Sequence, residues 1–579
     1  MRRTTFSHGV VLPALAALLP ACDSPEPCIH LVCADTCVDA MVDPANCGAC
    51  GRTCSAAQTC VAGQCTGTAP CMPPSQTCGD ACVDTQTSTA HCGACDVACS
   101  ADGACVAGAC AEPLAVLQTS YLDGTVGRDA FVLQDRTFAL TQLNPATFAG
   151  GRVLDHAVLP DGRIVLLAAQ TEDVFELFLV AARGGAWTRL SGPLVAGGDV
   201  LPGFVVSADG STVLYRADAE VDEVIDLYAA AIAAPGTAAR INAPLTAGGQ
   251  VSSVFAISAT GTRVAYVADQ DTDQLDEAYA VALSGGAPGP SVKLNPPTTD
   301  AVWDLRLSAA GDRVVYRAYD GSTGRVALNL VDTATPGQAT QLLYADGAEG
   351  QVESYQLTAD GSAVVFTGGN QFLATSLWRA PLAPPADATR LVDGTTGPVR
   401  ADFTISRDGA RVYYRQVEAG YDRVFQVAIA APLAPAGLSP APTGPDDEAT
   451  DFTITADESV LVYRGGADGA EGGVVQPETQ GPLAPAPFAP ALYRVDLVAQ
   501  PVAPPTMISR PRGPAEEGVG AGYRVTADGV RVLYRADHDQ PTFSDAYLAD
   551  LATPGTVRKV SPPFDQASDA TDVSLLTLF

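Results

Sequence analysis

The chain has 579 residues, a net charge of −32 and an isoelectric point near 4.3. A chain this acidic is repelled by phosphate backbones and by anionic lipid surfaces, so nucleic acid is excluded as an expected partner. Only 17% of the residues are charged, whereas glycine and proline are abundant. That composition is typical of a turn-rich folded protein and not of a disordered one.

The first residues have the pattern of an export signal. Arg2 and Arg3 give a short positive region, and residues 9–21 form an uncharged, mostly apolar run. This run is shorter than the roughly 20 residues that a transmembrane helix needs. Residues 1–21 are therefore predicted to be a signal peptide.

The apolar run ends in Leu19-Pro20-Ala21-Cys22, which resembles the lipobox of bacterial lipoproteins. The resemblance implies cleavage before Cys22, lipid attachment to its thiol, and a short anchor and linker over residues 22–27. We expect the protein at the outer membrane or the cell surface. Asp23, directly after the lipid-bearing position, leaves inner-membrane retention facing the periplasm as an alternative. An ordinary signal peptide with a coincidental cysteine is a second alternative.

The 17 cysteines all precede residue 111 and define a region over residues 28–110. With Cys22 set aside they form two sets of eight, which are offset by 45 residues from the second member onward. The flanking residues match as well, so the region is a tandem duplication. The two sets are Cys28, Cys33, Cys37, Cys47, Cys50, Cys54, Cys60 and Cys65, followed by Cys71, Cys78, Cys82, Cys92, Cys95, Cys99, Cys105 and Cys110.

Each cysteine repeat has almost no aliphatic core, so we predict that disulfide bonds stabilise it in an oxidising compartment. The pairing stays open, because sequence does not choose among the many combinations. Zinc is the alternative, although zinc modules usually place the second C-x-x-C pair about 15–20 residues after the first. The units resemble the Cys-rich tandem repeats with an Asn-Cys-Gly-x-Cys core in bacterial surface lipoproteins. In the second unit His91 replaces Asn46, as a ligand or, preferably, as a surface substitution.

From residue 111 to residue 579 the chain repeats with a period near 50. Each repeat has a strand, a Ser/Thr-x-Asp-Gly turn and a second strand, and Asp-Gly between alternating apolar runs is a strong hairpin signal. A Val or Leu follows the turn, and an aromatic residue usually stands two positions later, which places both on one face of the sheet. The turn glycine or its counterpart falls at positions 162, 210, 261, 311, 361, 409, 458 and 529.

Four short strands per repeat predict an all-β fold, a single large β-propeller preceded by the small disulfide-rich module. The repeats resemble those of TolB-like propellers. Residues 572–579 are predicted to be a first strand without a blade after it, and residues 116–143 to be later strands without a first. Pairing the two would complete one blade and remove two open edges. The prediction is nine four-stranded blades, one of them split between the termini, with eight as the alternative.

No residue is predicted to be catalytic. The propeller region has no cysteine and two histidines, His156 and His538. It lacks the Gly-x-Ser-x-Gly turn of serine hydrolases and the His-Glu-x-x-His helix of zinc proteases. His156 lies on a predicted inner strand, and we favour a structural role for it.

Calcium is the one cofactor hypothesis. Asp269, Asp271 and Asp273 alternate along an acidic stretch, and carboxylates at alternate positions can converge on Ca²⁺. Gln274 stands where a calcium loop of the EF-hand type has glycine, and the final glutamate of that motif is absent. The preceding repeat has an equivalent acidic stretch at 218–222, which favours a solvated face over a metal site.

An arginine follows the aromatic position in five repeats. These side chains would either line a ring that binds anionic partners or pair with nearby acidic groups, such as Asp218, within or between blades, and we favour the pairing. The five residues are Arg216, Arg317, Arg415, Arg464 and Arg535.

Together these features predict a monomeric, membrane-anchored envelope or surface lipoprotein without enzymatic activity. Its propeller would act as a binding scaffold for a protein or a glycan. One alternative is a propeller-type hydrolase or lyase with an active site at the mouth of the channel. Another is a structural spacer or adhesion protein. Fold alone does not choose among them, because propellers carry many functions.

Overall fold

The computed structural model describes residues 30–578 with gaps. It forms two compact units, one of residues up to 99 with 105–110 and one of residues 100–104 with 111 onward. The predicted signal peptide, Cys22, Cys28, Cys71 and His538 lie outside the described residues. The gaps are 35, 55–57, 67–74, 79–80, 100–103, 107, 112, 122–128, 135–137, 144–151, 170–173, 298–300, 322–323, 343–350, 370–374, 384–387, 443–447, 466–489, 499–503, 510–517, 521, 527, 537–544 and 562–570.

The N-terminal unit contains two copies of one arrangement, each with two short antiparallel hairpins. The hairpins pair Leu31–Cys33 with Thr36–Val38, Thr59–Val61 with Gln64–Thr66, Ser75–Cys78 with Ala81–Asp84, and Ala104–Val106 with Ala109–Ala111. The glycine of the Asn-Cys-Gly-x-Cys core is Gly48 in the first repeat, and Gly93 is its counterpart in the second. Both have a positive φ, and a Cβ atom on either would lie 2.3 Å from a backbone carbonyl oxygen of the same repeat. The duplication seen in the sequence is thus a structural duplication.

The second unit is a propeller of nine antiparallel blades. Blade 1 consists of Thr571–Leu578, Pro113–Tyr121, Ala130–Gln134 and Leu140–Gln142. Blades 2 to 5 consist in turn of Arg152–Val158, Ile164–Ala169, Phe175–Val180 and Thr188–Arg189; of Val205–Val206, Thr212–Ala217, Asp226–Ala231 and Ala238–Arg240; of Val251–Ile257, Arg263–Ala268, Glu277–Ser284 and Val292–Lys293, with Ala287–Pro288 as an added short strand; and of Ala301–Leu307, Arg313–Asp320, Arg325–Asp332 and Thr340–Gln341.

The remaining blades follow the same order. Blades 6 to 9 consist of Gln351–Leu357, Ala363–Gly369, Ser376–Pro381 and Thr389–Val392; of Val399–Ile405, Arg411–Glu418, Tyr421–Ala428 and Ala436–Gly437; of Ala449–Ile454, Val460–Gly465, Ala491–Asp496 and Thr506–Met507; and of Arg524–Val525, Arg531–Ala536, Asp545–Asp550 and Val557–Lys559. A single 3₁₀ turn, Gly394–Thr396, is the one helical element among the described residues. Within that part of the chain no helix is long and apolar enough to cross a membrane.

Blade 1 is split between the two ends of the propeller. Its first strand, Thr571–Leu578, pairs antiparallel with Pro113–Tyr121, and Val116 stands opposite Thr577. This confirms the predicted closure and the count of nine blades, because the other eight sheets are contiguous in sequence. The first strands of adjacent blades contact one another, as in blades 4 and 5, so the first strand is the innermost strand of each blade.

Nine apolar clusters hold the ring together, one at each interface between blades. In blade 3, Val213 and Tyr215 face blade 2, whereas Leu214 faces blade 4. The period-two alternation therefore buries both faces of the sheet. The cluster of Leu117 and Leu533 joins blade 1 to blade 9 and so closes the ring.

The Ser/Thr-x-Asp-Gly turn is a small hydrogen-bond network. In blade 3 the Ser207 hydroxyl donates to Asp209 at 2.6 Å, and the Gly210 amide donates to the Ser207 carbonyl at 2.8 Å. Gly210 has a φ of +68°, a conformation that glycine adopts without strain. In blade 8 Glu458 takes this position with a φ of +57°, and its carboxylate accepts a hydrogen bond from the Arg407 amide of blade 7. The turns therefore also join neighbouring blades.

Candidate ligand-binding surface

The cysteines of the N-terminal unit form six described disulfide bonds with the same pairing in both repeats. Cys37 is also disulfide-bonded, and Cys82 lies on the strand Ala81–Asp84. The bonds agree with the disulfide prediction and resolve most of the open pairing. They are Cys33–Cys50, Cys47–Cys60 and Cys54–Cys65, and Cys78–Cys95, Cys92–Cys105 and Cys99–Cys110.

The zinc alternative meets a chemical obstacle in this unit. The sulfur atoms of Cys47, Cys54 and Cys65 lie within 4.8 Å of one another, as do those of the corresponding cysteines of the second repeat. Each of these sulfurs is bonded to another cysteine and is therefore not the thiolate that binds zinc.

His91 takes over the role of the asparagine that it replaces. The Asn46 side-chain oxygen accepts a hydrogen bond from the Gly51 amide at 2.8 Å. The His91 Nδ1 accepts one from the Asp96 amide at 3.0 Å, at the matching place in the second repeat. This agrees with the preferred interpretation of a substitution at an equivalent surface position.

The arginines that follow the aromatic position connect neighbouring blades. In blade 5, Arg317 forms an ion pair with Asp304 of its own blade and donates to the Val352 carbonyl of blade 6 at 3.3 Å. Arg216 reaches the Val251 carbonyl of the next blade at 3.4 Å, and Arg464 the Val519 carbonyl at 3.5 Å. The row thus has a structural role, which agrees with the preferred pairing over an anion-binding ring.

The ion pairs use different acids from the one expected from the sequence. Arg464 pairs with Asp451 of the first strand of its own blade, as Arg317 does with Asp304. Asp218, the partner suggested by sequence proximity, instead accepts hydrogen bonds from the Asp199 and Glu223 amides. Arg535 lies at the equivalent place on the second strand of blade 9.

Gln118 is the counterpart of these arginines in the split blade, and sequence reasoning missed it. Its side-chain amide donates to the carbonyls of Val153 at 2.9 Å and Leu154 at 3.1 Å, both in blade 2. Each of Gln118, Arg216 and Arg317 bonds to the residue 35 positions further on. For Arg415 and Arg464 the spacing is 34 and 55 positions, so the spacing of 35 that Gln118 shares with two of the arginines is the sequence signal by which it could have been found.

His156 is part of the junction between blades 1 and 2. It is 6% exposed, and its Nδ1 lies 3.2 Å from the Gln118 side-chain oxygen. Burial lowers the pKa of His156 to about 4, so the ring is neutral at physiological pH. Next to it, burial raises the pKa of Asp155. The histidine is a buried structural group rather than an exposed proton carrier.

The acidic stretch of blade 4 is the loop 269–276 between its second and third strands. Asp269 accepts hydrogen bonds from the amides of Gln250 and Gln274, so both of its oxygens support the loop. The Asp271 Oδ2 lies 3.9 Å from the Lys293 Nζ, and the Asp273 carboxylate accepts a hydrogen bond from the Gln274 side-chain amide. Among the described residues these three carboxylates do not meet at one point, and calcium binding stays a prediction of the sequence.

The equivalent loop of blade 3, residues 218–225, is built in the same way. Asp218 occupies the place of Asp269, and the connection from the preceding blade contains two glycines in each case. A Cβ atom on Gly197 would lie 2.9 Å from the Asp222 carboxylate, and one on Gly248 2.9 Å from the Asp273 carboxylate. A cleft of about 430 Å³ lies beside this loop and is lined by Glu220, Glu223, Asp226, Arg240 and the connection 244–250.

Blade 5 presents an exposed pair of aromatic side chains. Trp303 lies at the bulge of the innermost strand, between Val302 and Asp304, and is 53% exposed. Tyr319, at the end of the adjacent strand, is 38% exposed. Their rings are parallel within 3°, and their centroids are 6.4 Å apart. A bulge turns a side chain out of the regular alternation, which explains how a large apolar ring reaches the surface here.

No family model matches the chain, and no curated protein sequence matches it. Among solved structures, that of a eukaryotic initiation factor aligns over 77% of this chain and 96% of its own, with 9% identity and a TM-score of 0.48. A puromycin-hydrolysing peptidase of Mycobacterium tuberculosis aligns over 60% of this chain and 56% of its own, with 15% identity and a TM-score of 0.36. Prolyl oligopeptidase B from Galerina marginata aligns over 65% and 51%, with 13% identity and a TM-score of 0.39.

Proposed function

We propose that this protein is an exported, lipid-anchored, monomeric lipoprotein whose propeller is a non-enzymatic binding scaffold for a protein partner. The observation that carries the binding role is the exposed parallel pair of Trp303 and Tyr319 on two adjacent strands of a closed ring. Exposed apolar groups on a rigid element are typical of interaction sites. Because both residues belong to a hairpin of blade 5, the surface is formed before any partner binds.

Export is supported by the N-terminal unit. Its six described disulfide bonds are stable in an oxidising compartment and are rare in the cytosol. Lipid attachment is supported by Leu19 to Cys22, and Cys22 has no counterpart in the duplicated cysteine sets. The outer membrane or cell surface is the proposed location. Calcium remains a proposed ligand of the loop 269–276 only.

The absence of enzymatic activity is supported by the roles of the described polar groups. His156 is buried and neutral, and Arg317 and Arg464 are bound in contacts between and within blades. General acid–base chemistry needs a titratable group within reach of a substrate. These side chains are engaged in holding the ring together.

Lipid attachment is tested by metabolic labelling of the full chain with an alkyne analogue of palmitate in a bacterial host. We expect labelling of the wild-type chain, and loss of both the label and the membrane association in Cys22→Ala. Equal labelling of the two chains would contradict the assignment of Cys22.

The binding role is tested by a photo-crosslinking amino acid placed at position 319 of the full chain in intact cells. We expect a discrete adduct that is missing when the same amino acid replaces Val498, which is 72% exposed on blade 8. Adducts of equal yield at both positions, or at neither, would contradict a binding surface on blade 5.

A further inference from the structure

We propose that the surface formed by Trp303, Tyr319 and the acidic loop 269–276 binds a basic segment of a partner polypeptide. The proposal rests on the binding role proposed above and names the chemistry of the partner. It uses three observations: the exposed aromatic pair, the acidic loop beside it, and the hydrogen bond that joins them.

The aromatic pair is directly connected to the acidic loop. The amide of Val302 donates a hydrogen bond to the carbonyl of Asp276 at 2.8 Å, so the last residue of the loop is bonded to the residue before Trp303. The two features therefore form one continuous surface across blades 4 and 5, and a single extended segment can contact both.

The charge of this surface favours a cationic partner. The loop 269–276 contains four acidic residues and no basic one. Asp271 and Asp273 are both exposed; the Asp271 side chain is 52% exposed, and its Oδ2 forms an ion pair with the Lys293 Nζ at 3.9 Å. The whole chain has a net charge of −32, which attracts basic segments at long range and repels acidic ones.

The aromatic rings supply the second part of the recognition. The face of a tryptophan or tyrosine ring attracts an ammonium or guanidinium group, and tryptophan is the best of the aromatic side chains for this contact. Arg317, two residues before Tyr319, does not compete for the rings, because Asp304 and two backbone carbonyls of blade 6 bind its guanidinium. A lysine or arginine of the partner can therefore stack on the pair while its neighbours meet the loop carboxylates.

The test is a titration of the full chain with a peptide of alternating lysine and glycine whose termini are acetylated and amidated. Binding is measured by isothermal titration calorimetry and by tryptophan fluorescence. Of the three tryptophans, Trp378 is 4% exposed and Trp187 packs on Phe178, so the exposed Trp303 is the residue most open to a ligand. We expect saturable binding that weakens as salt is raised, because salt screens exposed charges. We expect a roughly five- to tenfold loss of affinity in Trp303→Ala, and a loss in Asp271→Asn/Asp273→Asn.

The matched controls are Val498→Ala, an exposed apolar residue of blade 8, and a peptide with glutamate in place of lysine. Val498→Ala should bind as the wild type does, and the acidic peptide should not bind. Equal affinity of Trp303→Ala and wild type would overturn the proposal, as would binding of a neutral maltohexaose at this surface without binding of the basic peptide. If the adduct at position 319 forms in cells but the basic peptide does not bind, the proposed binding role stands and this inference fails.

Discussion

The guanidinium of Arg415 in blade 7 donates a hydrogen bond to the backbone carbonyl of Ala449, the first residue of the innermost strand of blade 8, at 3.0 Å. The same side chain binds Asp402 through two nitrogens, at 2.7 and 2.9 Å, and Asp422 at 3.0 Å. One arginine thus joins the first and third strands of its own blade to the first strand of the next blade. These directional bonds fix the orientation of blade 8 against blade 7, whereas apolar packing is not directional.

Replacing Arg415 with methionine should lower the free energy of unfolding by about 2–3 kcal/mol, because the buried carboxylate of Asp422 loses a partner and the Ala449 carbonyl a donor. Urea denaturation followed by circular dichroism measures the change. The control is Arg189→Met, since Arg189 is 47% exposed and its pair with Glu176 should contribute less than about 1 kcal/mol. Equal losses in the two variants would argue against a special role for the connection.

Removal of residues 572–579 should lower the melting temperature by about 5–10 °C, because blade 1 would lose the strand that pairs with Pro113–Tyr121. Differential scanning calorimetry is the measurement. A chain that lacks only Phe579, which lies beyond the described strand, serves as the control and should melt like the wild type. An unchanged melting temperature in the longer deletion would contradict closure of the ring by this strand.

The double variant Cys47→Ser/Cys60→Ser should destabilise the first repeat of the N-terminal unit by about 2–4 kcal/mol, since the bond between these residues restricts the unfolded chain. The unfolding transition of the propeller should stay unchanged, because all cysteines precede residue 111. Disulfide mapping by mass spectrometry under non-reducing conditions checks the pairing first. A peptide linking Cys47 to any cysteine other than Cys60 would disprove the pairing described above.

The turn carboxylates should make the propeller sensitive to acid. A hydrogen bond from the Thr455 hydroxyl lowers the pKa of Asp457 to about 2, and one from Thr358 does the same for Asp360. A carboxyl whose pKa is lower in the folded state stabilises that state fully above its unfolded pKa of about 4. This contribution is lost as the pH falls from about 4 to about 2.

Melting temperatures between pH 5 and pH 2 test this acid sensitivity. Asp457→Asn should show a smaller fall over that range than the wild type. Thr455→Val keeps the carboxyl but removes the hydroxyl donor, so it should also flatten the fall. If both variants lose stability as steeply as the wild type, the turn carboxylates are not the groups that titrate.

Much of this fold was predictable because it depends on local chemistry repeated many times. The Asp-Gly turns predict the hairpins, and the period-two spacing of Val213 and Tyr215 predicts which face of the sheet is buried. The aromatic partner on the third strand was not predicted, although Tyr228 stands opposite Tyr215 and stacks on it with centroids 5.7 Å apart. Cross-strand pairs depend on register, and loops of varying length hide the register in the sequence.

The candidate surface was hidden for a related reason. In the sequence, Trp303 is indistinguishable from the other apolar residues of a strand. The register shift between Val302 and Asp304 places it at the surface. In the same way, Gln118 shares the role of the arginines without sharing their chemistry. A bulge or a substituted donor is visible only when the pairing partner is known.

The pairing of Val116 with Thr577 also determines when the ring can be completed. Two strands so distant along the chain meet only after the intervening blades have compacted the polypeptide between them, because closing a loop of that length costs entropy. During synthesis, the eight contiguous blades can form one after another. The edge of Pro113–Tyr121 must wait for the last strand, so a chain interrupted before residue 571 would carry an open β-edge that is prone to pair with other chains.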